Sequence, residues 1–444
     1  MKTLRFLFPI LAICFLAACT KDLPTDNLSQ VPADGINKSK SKPVEVKIAI
    51  ISDIHYMDPS LLMNGAENGL AFQTYLAYDP KLIQFSDPIF RTTLSKIVRE
   101  KPDIVLIPGD LTKDGEPVSH EAIATILHQL VADGIKVYVV PGNHDINNPE
   151  AKQYDGNIAY QIPSITPEDF STIYGDFGYA NSISRDASSL SYVCQPFTGL
   201  WILGIDDCEY YANTPTTALV QGIIKPETMA WILEKLDYAK ANNITVLGLM
   251  HHGIVEHYTG QQQVDYGYVT DNWLEDAPQL MNAGLQVMFT GHYHANDITM
   301  ISSEEGNMLF DIETGSLVTP PSPYRMVTLS NKGLDISTNK ITSVSPTVPL
   351  GFSFTHYSDQ FLKSHMYDYF EYIFTNVYGL DDATAAYLAP YFREGWSAHY
   401  TGDEKMPAGV MDVIGGLPSP LDGALYSIWT DLPPEDNKLH VDLK

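Results

Sequence analysis

The chain has 444 residues, 44% of them hydrophobic and 11% aromatic, a composition that excludes a disordered protein and leaves room for more than one domain. Its 27 basic residues stand against 54 acidic ones, a formal charge of -27. Such a charge excludes long-range attraction to nucleic acid or to an anionic membrane, and an anionic substrate would need a local reversal of the field, which bound divalent metals supply. Tyrosines outnumber phenylalanines, 26 to 17, so many aromatic rings are expected half-exposed, with wet hydroxyls.

The N-terminus comes first. Lys2 and Arg5 precede an apolar run over 6–18, the pattern of a signal peptide and too short for a comfortable membrane span. The run ends in Leu16-Ala17-Ala18-Cys19, which resembles a bacterial lipobox. That resemblance implies a signal peptide over 1–19 and a lipidated Cys19 as first mature residue, with enough acyl chains to anchor the protein. Thr20, rather than Asp, follows Cys19; by the sorting rule of Gram-negative lipoproteins this implies the outer membrane. Residues 20–43 are rich in Ser, Asn, Asp, Lys and Pro and read as a flexible tether. Cys194 and Cys208 are the other cysteines of the mature chain. An oxidising compartment would allow them to pair, but Cys208 lies past the end of its hairpin strand, so the disulfide stays open.

From 44 onward strands and helices alternate. A strand over 44–52 is followed by a helix over 89–100, whose apolar positions Ile89, Leu94, Ile97 and Val98 share one face. A strand ends at Gly109-Asp110, a helix covers 117–133, and the strand Val137-Tyr138-Val139-Val140 stops at Pro141-Gly142. A short helix over 167–174, strands near 190–194 and 200–206, and a helix over 226–241 come next. A strand ends at His251-His252, a helix spans 272–283, and a strand leads into Gly291-His292. Beyond 298 the text is β-rich to about 345. The expectation is an α/β domain over 44–345, interrupted by an insertion at 56–88. An appendage over 346–444 follows. Its helical stretches, 355–379 and 381–398, carry Phe361, Tyr367, Tyr369, Phe370, Tyr372 and Phe374, a stripe expected to pack on the domain.

Five strand ends carry polar side chains: Asp53 and His55; Asp110; Asn143, His144 and Asp145; His251 and His252; His292 and His294. A single such end could be a solvated turn. Five in order, each after an apolar strand, point to one shared site, because the carboxyl ends of parallel strands converge on one edge. Nitrogen and oxygen donors of this kind suit Mn, Fe or Zn better than Ca. Glycines before Asp110, Asn143 and His292 allow tight turns and close approach of the backbone.

With Asp53-x-His55, Gly109-Asp110, Gly142-Asn143-His144-Asp145, His251 and Gly291-His292-x-His294 in this order, the chain resembles the calcineurin-like metallophosphoesterase family over about 44–320. The resemblance implies a four-layer α/β/β/α sandwich of two mixed sheets. It implies that Asp53, His55 and His294 hold one divalent metal (Mn, Fe or Zn), that Asn143, His251 and His292 hold a second, and that Asp110 bridges them. Two such metals clamp phosphoryl oxygens and lower the pKa of a shared water. His144 would protonate the leaving alkoxide or hold the phosphate, with Asp145 orienting its ring or merely capping the turn. His252 and Asp206 are expected behind the ligands or against substrate; Gly253 stands where the commoner family text has proline. The expected substrate is a small phosphoester. Asp53-x-His55 with His251-His252 resembles the cyclic-nucleotide and glycerophosphodiester branch, so a phosphodiesterase is the first reading and a phosphomonoesterase or nucleotidase the second. A reading of another class is a non-catalytic surface lipoprotein that binds a glycan or a partner through its aromatic C-terminal region. The tyrosines of 56–88 are expected to shape the pocket. His120, His128, His257, His356, His365, His399 and His440 have no matching context and read as packing or surface residues. Membrane contact is expected through the lipid anchor alone.

Overall fold

The computed structural model describes residues 45–345, 351–402 and 404–443. The expected signal peptide, Cys19 and the tether lie outside the described residues.

Among the described residues sixteen strands, numbered in chain order, form three sheets. The first runs β16 (Lys438–Val441), β15 (Gly333–Lys340), β14 (Pro323–Ser330), β1 (Glu45–Ile50), β3 (Ile104–Ile107) and β4 (Lys136–Val139). Within it β1, β3 and β4 are parallel and the other neighbours antiparallel. The second runs β12 (Ile298–Ser302), β13 (Met308–Glu313), β11 (Val287–Thr290), β10 (Thr245–Leu249), β9 (Leu200–Gly204), β8 (Tyr192–Phe197) and β7 (Ser184–Arg185), with β13, β11, β10 and β9 parallel. A small third sheet joins β2 (Leu62–Met63), β5 (Lys152–Asp155) and β6 (Ile158–Gln161).

The layering follows from side-chain alternation. Val287 and Phe289 of β11 share a core with Ile48 and Ile50 of β1 and Leu106 of β3, so the two large sheets meet face to face. Met288, between them, points the other way, into a core with Ile232 and Leu236 of the helix Pro226–Ala241 and Leu280 of the helix Trp273–Ala283. On the far side of the first sheet, Ile89 and Leu94 of the helix Ser86–Glu100 and Leu127 of the helix Pro117–Ala132 close the stack. The result is the expected four-layer sandwich. Strands covered on both faces are apolar throughout, which is why Ile104–Ile107 and Val287–Thr290 read as continuous runs.

The insertion folds on its own terms. It contributes the helix Leu70–Tyr78 and pairs β2 in parallel with β5, a strand the sequence did not announce. The C-terminal helices Phe354–Asn376 and Asp382–His399 pack on each other, and Phe370, Phe374, Leu388 and Phe392 share an apolar cluster with Tyr258 and Tyr293 of the α/β domain. Of the aromatic stripe, Phe370 and Phe374 are therefore core, Phe361 and Tyr367 are half-buried, and Tyr369 and Tyr372 are exposed. The last strand, β16, adds an edge to the first sheet. Cys194 and Cys208 are free and buried. Their thiols point at different carbonyls, those of Gly178 and Pro141, so the disulfide left open does not form. Among the described residues no helix is long and apolar enough to cross a membrane.

Candidate metal centre

The five polar strand ends come from two sheets, not one: β1, β3 and β4 from the first, β10 and β11 from the second. Face-to-face packing sets the carboxyl ends of both sheets side by side. Asp53, His55, Asp110, Asn143, His251 and His292 are all buried there, and His294 is half-buried.

One cluster holds Asp53, His55 and His294. The Nε2 atoms of His55 and His294 face each other at 3.1 Å. Asp110 Oδ2 lies 3.6 Å from His55 Nε2, and Asp53 Oδ1 lies 3.5 Å from His294 Nε2. Burial first, and then the nearby Lys81, holds both rings well below the ordinary imidazole range, so a shared proton is disfavoured between them. Neutral rings keep a nitrogen lone pair for a cation, and the donor set fits a divalent metal. Thr319 Oγ1 contacts His294 Nδ1 at 3.0 Å, which fixes the ring with Nε2 toward the centre. Burial also pushes the Asp53 carboxyl up to about 7, with repulsion from Asp110 adding to it; a bound cation would bring it back down.

The second cluster holds Asp110, His251 and His292. His251 Nδ1–H donates to the Pro108 carbonyl at 2.8 Å, leaving Nε2 3.1 Å from Asn143 Oδ1 and 3.5 Å from Asp110 Oδ1. His292 Nε2–H donates to the Gly267 carbonyl at 3.1 Å and leaves Nδ1 as its donor atom. Asp110 thus presents one oxygen toward each cluster and could serve both.

The backbone is bent to serve this arrangement. Asp53, His55, Asp110, His292 and His294 all have positive φ, between 41° and 74°. They are five of the eleven non-glycine residues with positive φ among those described, and such conformations persist where the surroundings over-determine them, typically at functional sites. Two glycines make room. A Cβ on Gly142 would overlap the Asp110 carboxylate, and one on Gly291 would overlap Ser52 and Asp53.

His144 stands at the rim, its ring centroid 4.8 Å from that of His55 and its Nε2 4.0 Å from Asp110 Oδ2. Its Nδ1 contacts Asp114 Oδ1 at 3.0 Å and the Lys113 carbonyl at 2.8 Å. The groups that orient His144 are therefore Asp114 and the Lys113 carbonyl; of the two readings of Asp145, the ring orienter is corrected and the turn cap holds. Asp145 is fully buried and receives the N–H groups of Leu111, Thr112 and Gly142 and the hydroxyl of Thr112, at 2.9 to 3.1 Å. A carboxylate so occupied locks the turns after β3 and β4 together and has no oxygen left for the ring. Burial lowers the basicity of His144, but Asp110 and Asp114 more than reverse this, and its pKa is raised.

His252 is buried, with Nδ1 3.0 Å from Asp207 Oδ2 and Nε2 2.8 Å from the Val220 carbonyl. Both ring nitrogens are taken and the ring packs on that of His292, 4.2 Å between centroids, so it supports a ligand and is closed to substrate. Asp206 is likewise internal, accepting from Leu190 N–H and the Tyr210 hydroxyl. Of the histidines read as packing or surface residues, His120 fits that reading, buried against Tyr174. His257 and His399 depart from it: each is buried against carboxylates. His257 meets Asp297, forty residues on, while Glu404 lies five residues past His399 and beyond its helix, so no helical or strand period marks either pair. Lys81 and Asp114 also carry no sequence signal. Neither belongs to a spaced motif; one is brought in by the insertion and the other by the turn after β3.

Fold and site together define a protein with two adjoining His/Asp cation clusters at the joined edge of a double-sheet sandwich. A model of the calcineurin-like phosphoesterase family matches residues 46–296, more than half of the chain, and the chain belongs to that family. A probable cyclic nucleotide phosphodiesterase of Vesicomyosocius okutanii is 33% identical over 69 residues, 16% of this chain and 28% of that relative; the match thus spans less than a third of the relative's length. Among solved structures, a dimetal phosphatase from Danio rerio is similar with a TM-score of 0.45 and 15% identity, over 67% of this chain and 97% of that one. A purple acid phosphatase from yellow lupin gives 0.39 and 13%, over 67% and 51%. The NAD nucleotidase of Haemophilus influenzae gives 0.34 and 17%, over 68% and 50%.

Proposed function

We propose that the chain is a metal-dependent phosphohydrolase and that phosphodiesters are its substrates. The observation that carries the hydrolase reading is the pair of cation clusters sharing Asp110, with His144 poised beside them. When bound, two divalent cations would neutralise phosphoryl oxygens and lower the pKa of a water between them. The chain's own residues do the rest. Asp110, Asn143 and the five imidazole and carboxylate donors around them set the cation positions. His144 keeps a proton at Nε2, because Asp110 and Asp114 raise its pKa, and can pass that proton to the departing alkoxide. Lys81, 3.4 Å from Asp79, adds a cation on the insertion side near His55 and His294, which would draw an anionic substrate to a chain that is otherwise acidic.

The diester preference is supported by the partial relative named a probable cyclic nucleotide phosphodiesterase and by Asp53-x-His55 occurring with His251-His252. The metal-loaded protein would be given bis-p-nitrophenyl phosphate and p-nitrophenyl phosphate, with Asp110→Asn as control. Faster diester turnover, abolished in the variant, is expected. Preference for the monoester would move the assignment to a phosphatase or nucleotidase. No turnover of either substrate with two metals bound would favour a binding role.

We also propose that Cys19 carries a lipid anchor and places the enzyme at the bacterial outer membrane. The support is the Leu16-Ala17-Ala18-Cys19 tetrapeptide with Thr20. Labelled palmitate incorporated by the wild type and lost in Cys19→Ser is the expected result; equal labelling would refute it.

A further inference from the structure

Away from this centre, a second buried set of imidazoles and carboxylates lies where the C-terminal helices meet the α/β domain. Asp297 follows the turn that carries His292 and His294. Asp311 and Glu313 come from β13 and His257 from the loop after β10. His399 ends the helix Asp382–His399, and Glu404 lies five residues on. All six are buried.

Asp297, His399 and Glu404 bring one donor atom each to a common point. His399 Nδ1 contacts the Glu404 carboxylate and lies 3.4 Å from Asp297 Oδ2. Asp297 Oδ2, Glu404 Oε2 and His399 Nε2 are buried with no hydrogen-bond partner. Unpartnered buried oxygens of ionised groups are costly. The charge does not close either. Four carboxylates face two imidazoles; burial pushes Glu313 up to about 8, so it keeps its proton, and with both rings protonated one negative charge remains. Arg325, a buried guanidinium beside the cluster, donates to the carbonyls of Asp297, Glu313 and Asp436, and Asp436 brings a buried carboxylate of its own.

We propose that this cluster is a third divalent-cation site, ligated by Asp297, His399 and Glu404, which ties the C-terminal segment to the loop bearing His292 and His294. Metal–nitrogen distances of about 2.0–2.1 Å put neighbouring donors of a tetrahedral shell roughly 3.3 Å apart. The 3.4 Å between Asp297 Oδ2 and His399 Nδ1 has that spacing, as do the 3.5 and 3.6 Å edges of the principal centre, while the Glu404 carboxylate sits closer to His399 Nδ1 than a filled shell would hold it. His257 Nδ1–H donates to Asp297 Oδ1 at 2.7 Å, which turns the other oxygen toward His399; such outer partners are typical of metal-held carboxylates. Mixed nitrogen and oxygen donors select Zn²⁺ or Mn²⁺ over Ca²⁺.

The test counts metals. Full-length chain would be stripped with chelator, reloaded with Zn²⁺ or Mn²⁺, desalted and assayed by elemental mass spectrometry. Three ions per chain are expected in the wild type and two in Glu404→Gln and in His399→Ala. Asp110→Asn disables the principal centre but should keep the third ion, and its melting temperature should rise on adding Zn²⁺; Asp110→Asn with Glu404→Gln should lose both effects. Two ions in the wild type, unchanged in Glu404→Gln, would overturn the proposal and leave a network balanced by protons alone. Three ions in the wild type with three also in Glu404→Gln and in His399→Ala would place the third ion elsewhere and equally overturn it; the count is independent of whether any phosphoester is cleaved.

Discussion

His144 and Asp114 form a pair that can be separated by one atom-for-atom change. Replacing His144 by Ala should lower kcat by about 10²- to 10⁴-fold, the usual range for a lost general acid, with metal content unchanged. Asp114→Asn is the sharper experiment. Burial, opposed by Asp110 and Asp114, leaves His144 with a raised pKa. A group that must be protonated to act loses activity as pH rises through its pKa. Removing Asp114 lowers that pKa, so the alkaline limb of the kcat profile should move to lower pH; an unmoved limb would show that Asp114 does not act through the imidazole. Asp206 offers a stability test. Burial, with Asp207 adding to it, pushes its carboxyl from the ordinary 3.8 to about 6. The folded state then holds the proton more tightly than the unfolded chain. This group therefore stabilises below about pH 4, and the gain is lost as pH rises to about 6, at roughly 1.4 kcal/mol for each pH unit crossed. The melting temperature of Asp206→Asn, measured against wild type, should improve between pH 4 and pH 7. A pH-independent difference would show that Asp206 titrates alike in the folded and unfolded chain.

At the scale of elements, the strands that carry ligands were legible because each is an apolar run cut off by a turn, and the chemistry sits in the turn. The helices were legible from their spacing and their starts, such as Pro226 opening Pro226–Ala241. The insertion was not. Its pairing of β2 with β5 joins segments about ninety residues apart, and two-residue strands leave no periodic trace. Its placement of Lys81 near His55 and His294 is a product of that folding. Lys81→Ala should raise KM for an anionic phosphoester about fivefold, the size of an exposed ion pair of about 1 kcal/mol, and leave the metal count intact. An unchanged KM would remove the insertion from substrate binding.

For the whole molecule, the C-terminal segment is part of the core and not an ornament on it. Its helices cover Tyr258 and Tyr293, β16 completes the first sheet, and the Asp436 carbonyl accepts from the buried Arg325. A chain ending at 345 exposes that apolar face and strips Arg325 of a partner, which together should cost several kcal/mol. It is expected to aggregate or to melt many degrees lower by differential scanning fluorimetry. A stable, fully active truncation would reassign the helices to a partner.

The order and identity of Asp53, His55, Asp110, Asn143, His251, His292 and His294 were determined by the sequence itself, because each is bound to a local feature: the end of an apolar strand and, for three of them, a preceding glycine. The alternation of strand and helix was local in the same sense. Tertiary structure alone decided which sheet each strand joins, that Asp114 and not Asp145 meets His144, and that His257, Asp297, His399 and Glu404 converge. Those contacts link residues whose separation along the chain carries no period, and they exist only once two sheets, an insertion and a C-terminal helical pair have packed into the same volume.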